Sequence, residues 1–168
     1  SISEAHSAYE STPARMRLLL GIKRTLVIDD TYTASPASCR AGLAALDALA
    51  IRPGGEKFAV LGDMVPLGDQ TEERHRLVGE QVATVGIDYC ITVGKLSRDI
   101  GRAAREKGMP EERVYHFTTP EEGGRFVQNR LEEGDCVYIA GNEALRMEKI
   151  VREIMAEPMK AEGLLVRR

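Results

Sequence analysis

The chain alternates between short apolar runs and longer segments in which apolar residues recur every three or four positions. The runs predict buried strands at 26–28, 57–61, 89–93, 113–117 and 136–139. The segments between them predict helices, of which the first covers 36–50, the second 70–85 and the last 145–155. Strands that alternate with helices over short connections form βαβ units. The pattern therefore predicts an α/β, Rossmann-like three-layer domain with a mainly parallel sheet of about five strands.

Turn and cap residues refine the limits of these elements. Ser35 and Thr119 each precede a proline, which suits an N-cap followed by the first helical position, and Ser97 is a third candidate cap for a helix that reaches residue 107. Ahead of the first parallel strand, 17–20 and 25–28 are compatible with a hairpin that adds an antiparallel edge strand. We expect a linker remnant over 1–14, a domain over 15–156 and a tail over 157–168.

Composition places the chain among ordinary globular domains. The 168 residues are 43% hydrophobic and 29% charged, with a net charge of −3 and both signs interspersed. No apolar run approaches the length of a membrane span, so we expect a cytoplasmic protein with no nucleic-acid partner and no membrane insertion. The three cysteines lack metal-binding spacing, and Cys90 and Cys136 lie in strand-like runs, which favours buried reduced thiols.

Acidic residues follow several of the predicted strands. Asp29 and Asp30 end the first parallel strand, Asp63 follows the second and Glu143 follows the last. The carboxyl ends of parallel strands share one edge of a sheet, where α/β domains bind their ligands and where helices begin. Such loops could hold a cation, a ribose hydroxyl or an amine. The competing interpretation is that they are solvated acids and helix caps.

No complete catalytic set accompanies these acids. The segment 94–97 lacks the earlier glycine of a phosphate loop, and no GxGxxG follows a strand. Neither His75 nor His116 has an obvious serine or cysteine nucleophile as a partner, and His75 is interpreted as a structural or surface residue of a helix. The residues by themselves indicate an α/β domain with a ligand-binding edge.

Four segments, in order, resemble the C-terminal domain of the Mur ligase family. Arg17 precedes the first parallel strand, as an arginine does in that family. The segment 28–38 (IDDTYTASPAS) resembles the family's I-D-D-S-Y-N-A-N-P-x-S. The segment 60–64 (VLGDM), with His75 further on, resembles V-L-G-D-M-x-E-L-G and its later histidine. The segment 146–149 (RMEK) resembles the end of K-G-S-R-G-x-R-M-E-K.

The resemblance implies an ATP-dependent amide ligase of peptidoglycan precursor synthesis, of which this domain is the last part. In the family an N-terminal domain holds a uridine nucleotide, and a central domain holds ATP and Mg²⁺ and forms an acyl phosphate. The C-terminal domain closes over them with the incoming amine. The implied substrates are a UDP-linked muramoyl peptide and a D-alanyl-D-alanine-type dipeptide. The resemblance places no catalytic residue and no metal ligand in this domain, so we expect the isolated chain to be an inactive monomer.

The same resemblance assigns binding residues by position. The residues near the ATP ribose and phosphates would be Arg17, Asp30, Thr31, Tyr32 and Thr33. The residues facing the dipeptide would be Asp63, Met64, Asn142 and Glu143.

The chain departs from the family pattern at two places. Thr33 and Ser35 replace asparagines, and 140–143 (AGNE) replaces Lys-Gly-Ser-Arg. The second change removes two cations and adds one anion, so either this loop does not bind a dipeptide carboxylate or the amine substrate differs. The alternative function is a stand-alone Rossmann-like ligand-binding module without ligase activity. A phosphate loop encoded upstream in the same gene would decide for the ligase.

Overall fold

The computed structural model describes residues 16–32, 34–64 and 68–156. Strands and α-helices follow one another along these ranges, joined by loops and short 3₁₀ turns. They are β1 (Arg17–Gly21), β2 (Thr25–Asp30), α1 (Pro36–Ala48), β3 (Lys57–Gly62), α2 (Thr71–Thr84), β4 (Tyr89–Val93), α3 (Arg98–Glu106), β5 (Val114–Phe117), α4 (Pro120–Arg130), β6 (Cys136–Ala140) and α5 (Glu148–Ile154).

The strands form one sheet in the order β1-β2-β6-β3-β4-β5. The five strands from β2 to β6 are parallel, and β1 pairs antiparallel with β2. The prediction of a mainly parallel sheet with an antiparallel edge strand is therefore confirmed. The pattern of the sequence did not reveal that β6, the last strand in the chain, lies between β2 and β3. This insertion brings the loops that follow these three strands together.

Helices cover both faces of the sheet, so the domain has the predicted three layers. On one face α1, α2 and α3 enclose a core that contains Leu43 and, from β6, Tyr138. On the other face α4 and α5 enclose a core that contains Ile150 and, from β6, Ile139. A parallel strand buried on both faces needs apolar residues at nearly every position. This requirement explains the continuous apolar runs in the sequence.

The last helix is shorter than the sequence predicts. α5 spans Glu148–Ile154 rather than 145–155. The segment Glu143–Leu145 instead forms a 3₁₀ turn, which ends at Arg146 in left-handed backbone with a φ of 63°. A non-glycine residue in that region interrupts the helical hydrogen bonds. The earlier helices differ from prediction only at their ends, and α1 stops at Ala48 rather than at residue 50.

Two of the three predicted helix caps are confirmed. The Ser35 hydroxyl accepts from the Ser38 N–H (3.1 Å), and the Ser38 hydroxyl accepts from the Ser35 N–H (2.9 Å). This reciprocal pair forms a capping box, with Pro36 at the start of α1. Thr119 caps α4 by accepting from the Glu122 N–H (3.3 Å).

The prediction that the Ser97 side chain caps the third helix was wrong. Ser97 stands at the N-cap position of α3, but its side chain accepts no capping hydrogen bond. Its hydroxyl donates to the Val93 carbonyl at 2.6 Å. The N–H of Ser97 instead donates, at 2.8 Å, to the Asp63 carboxylate, which belongs to another loop. A carboxylate at a helix N-terminus also suits the helix dipole.

The cysteines are free and buried, which confirms the interpretation of Cys90 and Cys136 as reduced thiols. Burial raises the pKa of Cys90 to about 12 and that of Cys136 to about 11. Because the thiolate is the reactive form, such thiols are inert. The linker remnant predicted over 1–14 and the tail predicted over 157–168 lie outside the described residues, so those boundaries stay predictions.

Candidate ligand-binding edge

β2 ends on two buried carboxylates, Asp29 and Asp30. Asp29 accepts from the N–H (3.1 Å) and the hydroxyl (2.7 Å) of Thr31. This local turn fixes the direction in which the chain leaves the strand. Asp30 accepts from the hydroxyl of Tyr138 in β6, with 2.6 Å between the two oxygens. Asp29 thus shapes its own loop, whereas Asp30 is held by a side chain from the neighbouring strand.

Arg17, Thr31 and Tyr32 lie at the same end of the sheet as Asp30. Because β1 runs antiparallel, its first residue, Arg17, is the register partner of Asp29. Arg17 also lines a cavity of about 240 Å³ between β1 and α1. Thr31 is fully buried, and Tyr32 has 37% of its surface exposed. Thr33, the fifth residue predicted near ATP, lies outside the described residues.

The loop after β3 is organised by the Asp63 carboxylate. It accepts from the N–H groups of Lys95 (3.2 Å) and Ser97 (2.8 Å), both in the loop between β4 and α3. Gly94 passes directly over it with a φ of +112°, and a Cβ there would come within 2.5 Å of the carboxylate. Only glycine tolerates both that backbone and that approach. The Asp63 side chain therefore joins the loops after β3 and β4.

Met64 and His75 hold the next turn of the same loop. The Met64 side chain is fully buried and lies 3.7 Å from the Cys39 sulfur. Its N–H donates to His75 Nε2 at 3.0 Å, while His75 Nδ1 lies 2.7 Å from the Thr71 carbonyl. These two contacts require the tautomer that carries its proton on Nδ1. His75 is thus a buried structural residue, in agreement with one of the interpretations of its sequence position.

Asn142 ties the loop after β6 to the loop after β3. Its backbone N–H (3.0 Å) and its side-chain Nδ2 (2.9 Å) both donate to the Asp63 carbonyl. Its Oδ1 accepts from the Ala144 N–H at 2.9 Å, which caps the following 3₁₀ turn. Glu143, next to it, is exposed to solvent. The polar groups of Asn142 therefore hold the backbone of the rim together.

His116 lies on β5, at the far side of the sheet. Its Nδ1 is 2.8 Å from the Thr92 hydroxyl. Burial lowers its pKa, and the nearby positive charge of Arg98 lowers it further. Both effects favour the neutral form of the histidine. The part of the chain that the structure describes contains no group of three or more His, Cys, Asp or Glu residues able to hold a metal ion.

The strand register brings the two sets of predicted site residues onto one edge. Asp30 at the end of β2 and Leu61 near the end of β3 are both register partners of Ala140 in β6. Asp30 and the loops that carry Asn142 and Asp63 therefore stand side by side. This edge offers a guanidinium, a buried carboxylate, hydroxyls and backbone N–H groups. Such groups suit a polar, phosphate-bearing or ribose-bearing ligand.

The fold and this edge define the class of the chain as an α/β domain with polar loops at the carboxyl ends of its parallel strands. Residues 14–143 match the family described as Mur ligase, glutamate ligase domain, so the chain belongs to the Mur ligase family. The UDP-N-acetylmuramoyl-tripeptide–D-alanyl-D-alanine ligase of Bacillus subtilis is 30% identical over 153 residues, which cover 91% of this chain and 33% of that protein.

Solved structures show the same fold. A MurF ligase from Thermotoga maritima in complex with ADP superposes with a TM-score of 0.68 at 23% identity, over 90% of this chain and 32% of that one. A MurF structure from Acinetobacter baumannii gives a TM-score of 0.70 at 24% identity, over 88% of this chain and 30% of that one. The chain thus spans about a third of the length of the relatives it matches. Along its described ranges no helix has the length and apolar character needed to cross a membrane.

Sequence reasoning missed Tyr138. Its signal was a single hydroxyl-bearing residue within the apolar strand 136–140 (CVYIA). A buried tyrosine hydroxyl normally requires a hydrogen-bond partner, so this residue could have prompted a search for one. The partner, Asp30, is 108 residues away in the chain and becomes its neighbour only through the insertion of β6.

Proposed function

We propose that this chain is the C-terminal domain of an ATP-dependent amide ligase of peptidoglycan precursor synthesis that works in the cytoplasm. In this proposal the domain closes over ATP and presents a D-alanyl-D-alanine-type amine to an acyl phosphate formed on a central domain. The other substrate is a UDP-linked muramoyl peptide. The observation that carries the proposal is the family match over 14–143, together with the gathering of Arg17 and Asp30 at one edge. The family match leaves the alternative of a stand-alone binding module without support.

The loop after β2 is the proposed nucleotide-facing part. Arg17 can bring a positive charge to phosphate oxygens, and Asp30 can accept a hydrogen bond from a ribose hydroxyl. Thr31 and Tyr32 follow Asp30 on the loop after β2, and Thr33 comes next in the sequence. ATP and Mg²⁺ are held mainly by the central domain in this proposal, so these residues complete a site rather than build one.

The loops after β3 and β6 are the proposed amine-facing part. The Asp63 carboxylate and the Met64 side chain are engaged within the fold, so these two residues fix the shape of the rim. Asn142 holds the rim from the other side. Glu143 is exposed and would face the incoming dipeptide. Closure of such a rim excludes water from a reactive acyl phosphate and aligns the amine for attack.

Phosphate release by a full-length ligase that carries this domain tests the proposal. With ATP and the UDP-linked muramoyl tripeptide present, D-alanyl-D-alanine should stimulate release more than other amines, including D-alanyl-D-serine. Equal stimulation by all amines would contradict the proposed specificity. The 168-residue chain alone should not hydrolyse ATP, and measurable turnover by it would contradict the assignment as an accessory domain.

A further inference from the structure

The contact between Tyr138 and Asp30 joins the middle of the sheet to the end of β2, and the sequence pattern did not predict it. The Tyr138 hydroxyl donates to Asp30 Oδ2 at 2.6 Å, and both residues are buried. A hydrogen bond between a hydroxyl and a carboxylate is short and roughly twice as strong as one between neutral groups. Away from water it also fixes the rotamer of the carboxylate.

The surroundings of Tyr138 leave its hydroxyl little freedom. α1 crosses the ring at Gly42, where a Cβ would come within 2.0 Å of the ring and 2.2 Å of the hydroxyl oxygen. The Ser38 carbonyl, one turn earlier in α1, lies 3.5 Å from the hydroxyl oxygen. The absence of a side chain at residue 42 is therefore what admits the tyrosine. The first two turns of α1 therefore confine the hydroxyl next to the end of β2.

We propose that Tyr138 is a positioning residue that holds the Asp30 carboxylate in its nucleotide-facing orientation, with Gly42 providing the space for it. This inference rests on the proposed contact between Asp30 and ATP. Tyr138 itself is fully buried, so it acts on the ligand only through Asp30. Because β6 also leads into the loop that carries Asn142, Tyr138 links the nucleotide-facing part of the edge to the strand behind its amine-facing part.

A matched pair of tyrosine substitutions tests this role in a full-length ligase. Tyr138→Phe removes only the hydroxyl that bonds to Asp30. Tyr89→Phe removes the part-buried hydroxyl of another strand tyrosine, which accepts from Arg130 Nε (3.2 Å) and Nη2 (3.1 Å) at the opposite end of the sheet. We expect Tyr138→Phe to raise KM for ATP about fivefold to tenfold while kcat stays within about twofold. Tyr89→Phe should change neither constant.

A third variant separates failure of this inference from failure of the proposed function. If Asp30→Ala raises KM for ATP but Tyr138→Phe does not, the positioning role is overturned and the nucleotide-facing role of Asp30 stands. If Asp30→Ala leaves KM for ATP unchanged, the proposed role of Asp30 fails. An equal effect of Tyr138→Phe and Tyr89→Phe on KM would also overturn the inference.

The geometry has its own test in the 168-residue chain without nucleotide. The carboxyl ¹³C resonance of Asp30 should move in Tyr138→Phe and stay in place in Tyr89→Phe. An unmoved resonance in Tyr138→Phe would show that the hydroxyl does not hold the carboxylate.

Discussion

Asp30 and Asp63 are similar in sequence and different in the structure. Each stands at or just after the carboxyl end of a parallel strand, in a stretch that resembles a family motif. Asp63 accepts from two backbone N–H groups of another loop, so its charge stabilises the fold. Asp30 accepts from a tyrosine hydroxyl in the adjacent strand, which orients it. An acid at a strand end can therefore accept from the backbone of another loop or from a side chain of the next strand, and in our proposal only the second of these two acids faces the nucleotide.

The largest expected effect on stability comes from filling the space at Gly42 that Tyr138 occupies next to Asp30. Gly42→Ala should lower the free energy of unfolding by about 3 kcal/mol, because the added methyl would overlap the tyrosine ring. Urea denaturation measures this loss. Adding Tyr138→Leu should restore part of it, since the shorter side chain frees the space.

Gly124→Ala is the matched control for that substitution. Gly124 is also a buried helical glycine, but its Cβ would meet neighbours only at the ordinary distance of 3.6 Å. The gain in helix propensity should make this variant as stable as the parent or slightly more so. Equal losses of unfolding free energy in Gly42→Ala and Gly124→Ala would contradict the tight fit at Gly42.

Asp63→Ala should have the next largest effect on stability. It removes the acceptor for the Lys95 and Ser97 N–H groups, and we expect the free energy of unfolding to fall by about 2 kcal/mol. Asp63→Asn keeps one acceptor oxygen and should lose about half as much. Thermal and urea unfolding of the three proteins measure the series. An unchanged free energy of unfolding in Asp63→Ala would mean that the carboxylate does not hold the two loops together.

The smallest expected effect is a pH dependence of stability that arises from His116, on the β5 side of the sheet. The lowered pKa of His116 means that the folded protein binds this proton less readily than the unfolded chain does. Stability should therefore decline as the pH falls below the ordinary histidine pKa of about 6.5, because the unfolded chain then takes up the proton more readily. His116→Gln should flatten this decline, as measured by urea unfolding at several pH values. If stability declines with pH as steeply in His116→Gln as in the parent, other titrating groups cause the decline.

The sequence predicted the sheet, the layers and the edge strand because burial on both faces and turn residues leave clear local patterns. The caps at Ser35 and Thr119 were predictable for the same reason, since a cap and its helix are adjacent in the chain. The cap on α3 was not predictable, because Asp63 comes from 34 residues earlier than Ser97. The Asp30–Tyr138 contact depends on the order of the strands in the sheet, which local sequence patterns do not predict.

The most direct test of the distinction between the two acids is the KM for ATP of Asp30→Ala and Asp63→Ala in a full-length ligase. Both variants should be assayed at a temperature where both are folded. We expect Asp30→Ala to raise KM for ATP about tenfold or more, because it removes a charged ligand group. Asp63→Ala should leave KM for ATP within about twofold of the parent, because its carboxylate supports a neighbouring loop. Equal increases, or an increase confined to Asp63→Ala, would contradict the assignment of Asp30 to the nucleotide.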